Sequence, residues 1–316
     1  MAKWFPSLVL CLVLSAGTSR ATVSLLLEGD VRGEYSDRED LDGRVDSVGG
    51  SLRKVLADGK GDRLILYLQA EAEDNASELL MHQAYAEWKG PMGRWNLALG
   101  RVPLPWGLLT AWSPDRLPFL SPYDTTGTFT SDNGLLVRGS AGMTDYGLAL
   151  TQGYGMGSIQ DFPGPGNLTG RLGITPDLAG DLNLGVSFAA GTVYPSAHGH
   201  GSGPVMEEDR LALALDCTWY HGRGIYRLEA GGRHTEDRWR GTLFGMTDYA
   251  LLPKLSLQLA GQLYTHMESH EFGQVYAGVS APVGAFTLRM GYEYEHAQEE
   301  THKVVVQLYR LFSFTR

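Results

Sequence analysis

The chain has 316 residues, 43% of them hydrophobic and 20% charged, with a formal net charge of -10. A mean hydropathy of -0.16 excludes a bundle of membrane-crossing helices, each of which needs about 20 consecutive apolar residues. The acidic balance, with only six lysines, excludes nucleic acid as a partner, because phosphate backbones are bound through basic surfaces.

Lys3, the apolar run Leu8 to Ala16 and the small residues Ser19 and Ala21 stand in the order of a secretory signal peptide, with a cut expected after Ala21. The reading divides the chain into a signal peptide, residues 1–21, and a single domain, residues 22–316. The cut removes Lys3 and Arg20 and no acid, which takes the charge from -10 to -12. Cys11 leaves too, so the mature chain keeps Cys217 alone and forms no internal disulfide.

From there on, apolar and polar residues alternate over segments of about ten residues separated by turn signals. In the first segment Val23, Leu25, Leu27, Val31 and Tyr35 share one face, and Glu28, Asp30, Arg32 and Glu34 share the other. A face with four consecutive charges is wet. The second segment, Val45 to Leu56, is blurred by Gly49 and Gly50. Clear alternation returns at Leu64 to Glu73, and again in segments starting at Leu182, Leu211, Leu255 and Phe286. Tight turns are expected at 90–93, 142–145, 176–180, 221–224, 252–254 and 282–284, with long connections at 103–133, 153–167 and 192–208. Trp and Tyr fall near segment ends, as an interfacial girdle requires. The last segment, Val304 to Phe314, closes on aromatics. The pentapeptide GMTDY occurs at 142–146 and at 245–249, but its flanks differ and we read it as coincidence.

Together these features predict an all-β fold: a transmembrane antiparallel β-barrel of about 16 strands, with 14 or 18 as alternatives. Such a chain resides in the bacterial outer membrane, in contact with outer-membrane lipid.

Residues 83–107, QAYAEWKGPMGRWNLALGRVPLPWG, resemble a stretch of Gram-negative outer-membrane porins, especially the phosphate-selective superfamily. An Ala-Tyr strand, a tight turn and a Leu-rich strand lead there to Gly100, Arg101, Pro105, Trp106 and Gly107. The final strand adds a weaker match. The resemblance implies a homotrimeric diffusion channel. Net acidity departs from the basic pore clusters on which phosphate-selective members rely.

By the same resemblance the connection 103–133 folds into the lumen. Asp115, Arg116, Asp124 and Asp132 would then charge a constriction, with Trp106, Trp112 and Phe119 packing the loop on the wall. The alternative is an ordinary loop capping the barrel from outside. On the inward faces the alternation places Glu28, Asp30, Glu34, Glu71, Glu73, Glu87, Asp216, Glu293 and Glu295 against Arg32, Arg138, Arg227, Arg233, Arg240 and Arg289. Carboxylates in a low-dielectric pore favour cations and arginines favour anions, so the acid excess predicts mild cation preference.

His266 and His270, with Glu268 and Glu271, and His296 and His302, with Glu295, Glu299 and Glu300, lie near the last two loops. Imidazole with carboxylate suits a transition metal, although solvated loop residues are the more ordinary reading. HMESHE is not the HExxH spacing of a metalloprotease, and no nucleophile and base stand in register, so the chain reads as no enzyme and calls for no cofactor. The expected role is passive diffusion of small polar solutes or ions. Two alternatives remain: a barrel sheathing a periplasmic or surface partner such as a multihaem cytochrome, and a metal-responsive uptake channel.

Overall fold

The computed structural model describes residues 20–38, 42–59, 61–73, 78–108, 130–155, 166–176, 181–194, 208–235, 238–266, 271–297 and 299–316. Sixteen strands close on themselves in sequence order, every neighbour antiparallel, with β1 paired to β16. The first eight are β1 (Arg20–Ser36), β2 (Asp42–Asp58), β3 (Gly61–Glu73), β4 (Glu78–Lys89), β5 (Asn96–Pro103), β6 (Ser131–Ala141), β7 (Thr144–Thr151) and β8 (Asn167–Ile174). The second eight are β9 (Leu182–Val193), β10 (Glu208–His221), β11 (Gly224–Thr235), β12 (Arg238–Leu252), β13 (Leu255–His266), β14 (Glu271–Val283), β15 (Phe286–His296) and β16 (Glu300–Thr315). At the seam Val23 and Arg316 exchange both backbone hydrogen bonds at 2.9 Å, downstream of the expected cut after Ala21.

Closure leaves no sheet edge, so every strand finds a backbone partner on both sides. The period of two then sorts side chains onto two faces. On β10, Leu211, Leu213 and Leu215 are 45%, 52% and 64% exposed, while the intervening Ala212, Ala214 and Asp216 are buried. The same inversion, apolar outside and polar inside, runs round the barrel. An outer face of exposed leucines is the surface lipid demands. Near the tight-turn rim it is bordered by Trp88, Trp219, Tyr249, Phe286 and Phe312, and near the other rim by Tyr35, Trp239 and Tyr292, all exposed.

Val45 to Leu56 lies inside β2. Its alternation is blurred because Gly50 is a site of close approach: a Cβ there would stand 2.6 Å from the Leu26 carbonyl oxygen. The first GMTDY copy opens in the β6–β7 turn and the second lies within β12, so the two are structurally unrelated.

The expected tight turns all fall at the rim that carries both termini, and the three long connections run over 104–130, 152–166 and 194–207 at the other rim. The remaining connections at that second rim are short, from the two residues 236–237 to the five residues 37–41. Strand length also varies round the barrel. β1 and β2 have 17 residues each and β16 has 16, whereas β5, β7 and β8 have eight. At about 3.3 Å per residue this is roughly 56 Å of strand against 26 Å. The wall is tall at the seam, where β1 and β2 close tightly, and low at β5, β7 and β8, beside the first two long connections.

Candidate pore and its constriction

The chain leaving β5 turns into the barrel. Pro103 and Pro105 lack N–H donors, so the segment cannot continue as a strand interior. Leu104 N donates to the Thr130 carbonyl at 3.0 Å, and Trp106 N donates to Leu104 O at 3.0 Å, tightening the turn around Pro105. Pro105 fits because β7 presents a glycine: a Cβ on Gly147 would lie 2.7 Å from the proline ring.

Trp106 then packs in a buried cluster with Ala189, Ala212 and Ala214, inward residues of β9 and β10. Leu108 joins Phe244, Met246, Ala260 and Tyr276, which β12, β13 and β14 turn inward. Glu229 of β11 holds the segment. Its carboxylate accepts the Trp106 indole N–H at 3.2 Å and the Leu108 N–H at 2.8 Å, while Ser187 Oγ accepts Gly107 N–H at 2.9 Å. Gly107 has φ +42°, and a Cβ there would meet the Glu229 carboxylate at 2.2 Å. Only glycine allows both the conformation and the approach. Residues 104–108 are thus buried between the β5 rim and the wall formed by β9 to β14, inside the barrel rather than above it.

Inward charges on the wall are mostly paired. Arg171 forks onto Asp216, Nη2 to Oδ1 at 2.6 Å and Nε to Oδ2 at 3.0 Å, and reaches Asp145 at 2.8 Å. Arg138 pairs with buried Glu87, which also takes Lys89 at 3.2 Å. Arg227 meets Asp248 at 2.7 Å, and Arg32 meets Asp46 at 2.7 Å. Lys303 stands 3.6, 3.7 and 3.6 Å from Glu34, Glu293 and Glu295, one cation against three carboxylates. Beside it a polar chain crosses the seam. Arg289 donates to Gln307 at 2.7 Å, Gln307 donates to Asp30, and Gln274 donates to Glu293 at 2.5 Å. Glu28 accepts from Tyr309 Oη at 3.1 Å, and Glu71 lies 3.3 Å from His82.

Across the lumen Arg233 and Arg240, opposite each other on β11 and β12, behave differently. Both donate to the Tyr264 hydroxyl, at 3.4 and 3.2 Å, and among the described residues neither has a carboxylate partner. Arg210 sits one inward position nearer the long-loop rim and reaches Asn167 Oδ1 at 3.5 Å. The lumen is therefore acidic along β14 to β3 and basic along the upper part of β10 to β12.

Of the positions that alternation turns inward, Asp30, Glu71, Glu87, Asp216, Arg289 and Glu293 are buried, and the side chain of Glu73 lies outside those described. Asp132 is inward and fully buried, but its oxygens accept Asn133 N–H at 2.7 Å and Gly153 N–H at 2.5 Å, which makes it a fastener of backbone. Asp115, Arg116, Asp124, Trp112, Phe119 and His270 lie outside the described residues. His266 is the last residue of β13. His296 faces Glu300 at 3.8 Å, and His302 bonds the Tyr292 hydroxyl among the outward aromatics. Among the described residues no three His, Cys, Asp or Glu side chains converge as a metal site would need. Sequence reasoning missed Glu229, Ser187, Arg210 and Lys303. Alternation places each inward, but nothing in the sequence pairs Glu229 with a segment more than a hundred residues before it.

No protein-family model matches the chain, and no curated protein matches it. Solved structures do. An anion-selective porin from Comamonas acidovorans superposes with TM-score 0.70 at 12% identity over 93% of this chain and 100% of its own. The outer membrane channel DcaP of Acinetobacter baumannii gives 0.69 at 12% identity, over 94% and 99%. OmpT, an outer membrane protein of Vibrio cholerae, in its trimer form gives 0.67 at 10% identity, over 92% and 99%. At these identities the likeness establishes a shared architecture, a closed sixteen-strand barrel whose length this chain matches almost completely.

Proposed function

We propose that the chain is a general outer-membrane porin through which small polar solutes and ions diffuse passively, with a mild preference for cations. One observation carries the reading: a closed barrel with a polar inner face, narrowed by a segment anchored on the far wall by Glu229. Inward polar groups replace the hydration that lipid would deny a solute. The side of the lumen with three carboxylates around Lys303 favours cations, and Arg233 and Arg240, further round the wall and held on the Tyr264 hydroxyl, moderate that preference. Location in the bacterial outer membrane is supported by the exposed leucine face and its two aromatic borders. Assembly as a homotrimer is supported by the trimer form of the similar Vibrio barrel. A lumen already crossed by residues 104–108 favours an open diffusion pore over a sleeve for a bulky cytochrome.

The test is single-channel conductance of purified, heat-modifiable protein in a planar bilayer under a salt gradient. Discrete steps with a reversal potential of cation-selective sign are expected. Absence of steps from correctly folded protein would overturn the reading. Phosphate added to the same bilayer, and failing to block the anion current, would separate a general porin from a phosphate-selective one.

A further inference from the structure

The outer face is not uniformly leucine. On β10 to β14 a groove of about 480 Å³ opens in it. Its floor is Gly245, Thr247 and Ala277, and its walls are Trp219, Leu228 and Val275. These residues lie on two successive outward rungs of the ladder, with Cys217, Leu228 and Gly245 in line on one and Trp219, Tyr226 and Thr247 on the next. Trp219 and Tyr226 stand two residues from the ends of β10 and β11 at their shared tight turn, so this side of the groove borders that rim, while Gly245 lies at the midpoint of β12.

At that end two adjacent turns carry cations. Arg223, in the β10–β11 turn, is exposed, and its carbonyl accepts Ala250 N–H at 3.0 Å, which ties this turn to the end of β12. Lys254, exposed in the β12–β13 turn, follows four residues later. Neither makes an ion pair among the described residues. His221 stacks on Trp219 with ring centroids 4.8 Å apart. The flanking turns do not continue this charge: Gly284 and Ala285 are neutral, and the β8–β9 turn carries Asp181.

We propose that this groove and its basic rim bind one anionic phospholipid of the leaflet at the tight-turn side. An acyl chain occupies the groove between Trp219 and Val275, and the phosphate sits between Arg223 and Lys254. The occupant follows from charge complementarity. The protein is acidic overall, yet here two cations without an ion pair among the described residues stand at the rim beside an apolar slot, Arg223 donating to the Leu251 carbonyl at 3.4 Å, and an aromatic side chain marks the interface between them. The inference rests on the membrane reading of the outer face.

The test is native mass spectrometry of the detergent-solubilised barrel with added phosphatidylglycerol or phosphatidylcholine. Two variants are compared. Arg223→Glu with Lys254→Glu inverts the rim. Gly245→Leu fills the floor and is tolerated sterically, because a Cβ there approaches only Leu228 at 3.7 Å and the Arg227 carbonyl at 3.9 Å. The wild type is expected to retain a single phosphatidylglycerol over phosphatidylcholine. At about fivefold per cation near an anionic surface, the double variant loses at least tenfold of that preference, and Gly245→Leu loses retention of either lipid. Equal retention by the wild type and both variants would overturn the proposal, as would loss of a protein–protein contact in Gly245→Leu. Failure of the wild type to insert into liposomes, measured alongside, would instead overturn the membrane reading.

Discussion

Glu229 tethers residues 106 and 108 inside the barrel, and its replacement gives the sharpest test of the proposed constriction. In Glu229→Ala the segment loses two hydrogen bonds to a charged acceptor, worth about 1.5 to 3 kcal/mol each. Water in the lumen compensates the freed N–H groups in part, so the lower bound of about 3 kcal/mol is the safer one. That shifts the ratio of docked to undocked segment roughly a hundredfold. Glu229→Gln keeps one acceptor oxygen and removes the charge, so about half the docking energy survives. Trp106→Ala keeps the charge and removes the packing against Ala189, Ala212 and Ala214, a truncation that costs about 3 to 5 kcal/mol. Single-channel recording should give larger and noisier open levels in Glu229→Ala and Trp106→Ala, with Glu229→Gln in between. Equal change in Glu229→Gln and Glu229→Ala, with none in Trp106→Ala, would mean that charge alone matters, and the tether would be refuted. Unchanged conductance in all three would refute the constriction.

Arg233→Gln with Arg240→Gln removes two lumen arginines that have no carboxylate partner among the described residues. At about 7 Å in bulk-like water each is worth roughly 0.6 kcal/mol to a passing anion, so the cation-to-anion permeability ratio from reversal potentials should rise about twofold to threefold per charge. That preference should shrink as salt rises, because the Debye length falls from about 10 Å at 0.1 M to about 3 Å at 1 M; a ratio independent of salt would place the selectivity in buried, unscreened groups. Leu213→Arg puts a charge on the exposed mid-strand face of β10 and should cost about 2 to 4 kcal/mol of stability in a bilayer, read as a lower denaturant midpoint for refolding into vesicles. An unchanged midpoint would place Leu213 in water or against protein.

The fold was legible because a barrel repeats one local rule. Leu211 to Trp219, Leu255 to Leu263 and Phe286 to Tyr294 each carry the two-residue period in full, and the Gly and Pro turns between them break it cleanly. Strand length was not legible. The segments read as Val45 to Leu56 and Val304 to Phe314 fall short of β2 and β16, which run Asp42–Asp58 and Glu300–Thr315, because a hairpin that has started pairing gains a hydrogen bond for each further rung whatever its side chains are. His266 and His296, read as lying near the last two loops, are the final residues of β13 and β15.

The pore divides in the same way. Inward charge is a property of single positions and follows from parity, which is why Glu71, Glu87, Arg138 and Glu293 could be named from the sequence. Pairing across the lumen depends on where a distant segment lands, and Glu229 carries no local mark of it. The geometry nevertheless follows from the unequal wall. β5, β7 and β8 stop at eight residues, so the chain emerging from β5 is released low in the barrel, beside an opening rather than above a rim. Its prolines forbid further pairing, and its aromatic residue is more stably buried than hydrated. The nearest apolar surface is not outside, where lipid already covers the leucines, but inside, on the alanines of β9 and β10. Chain length withheld from the wall is thereby laid across the lumen, and the short strands and the constriction are one feature of the sequence.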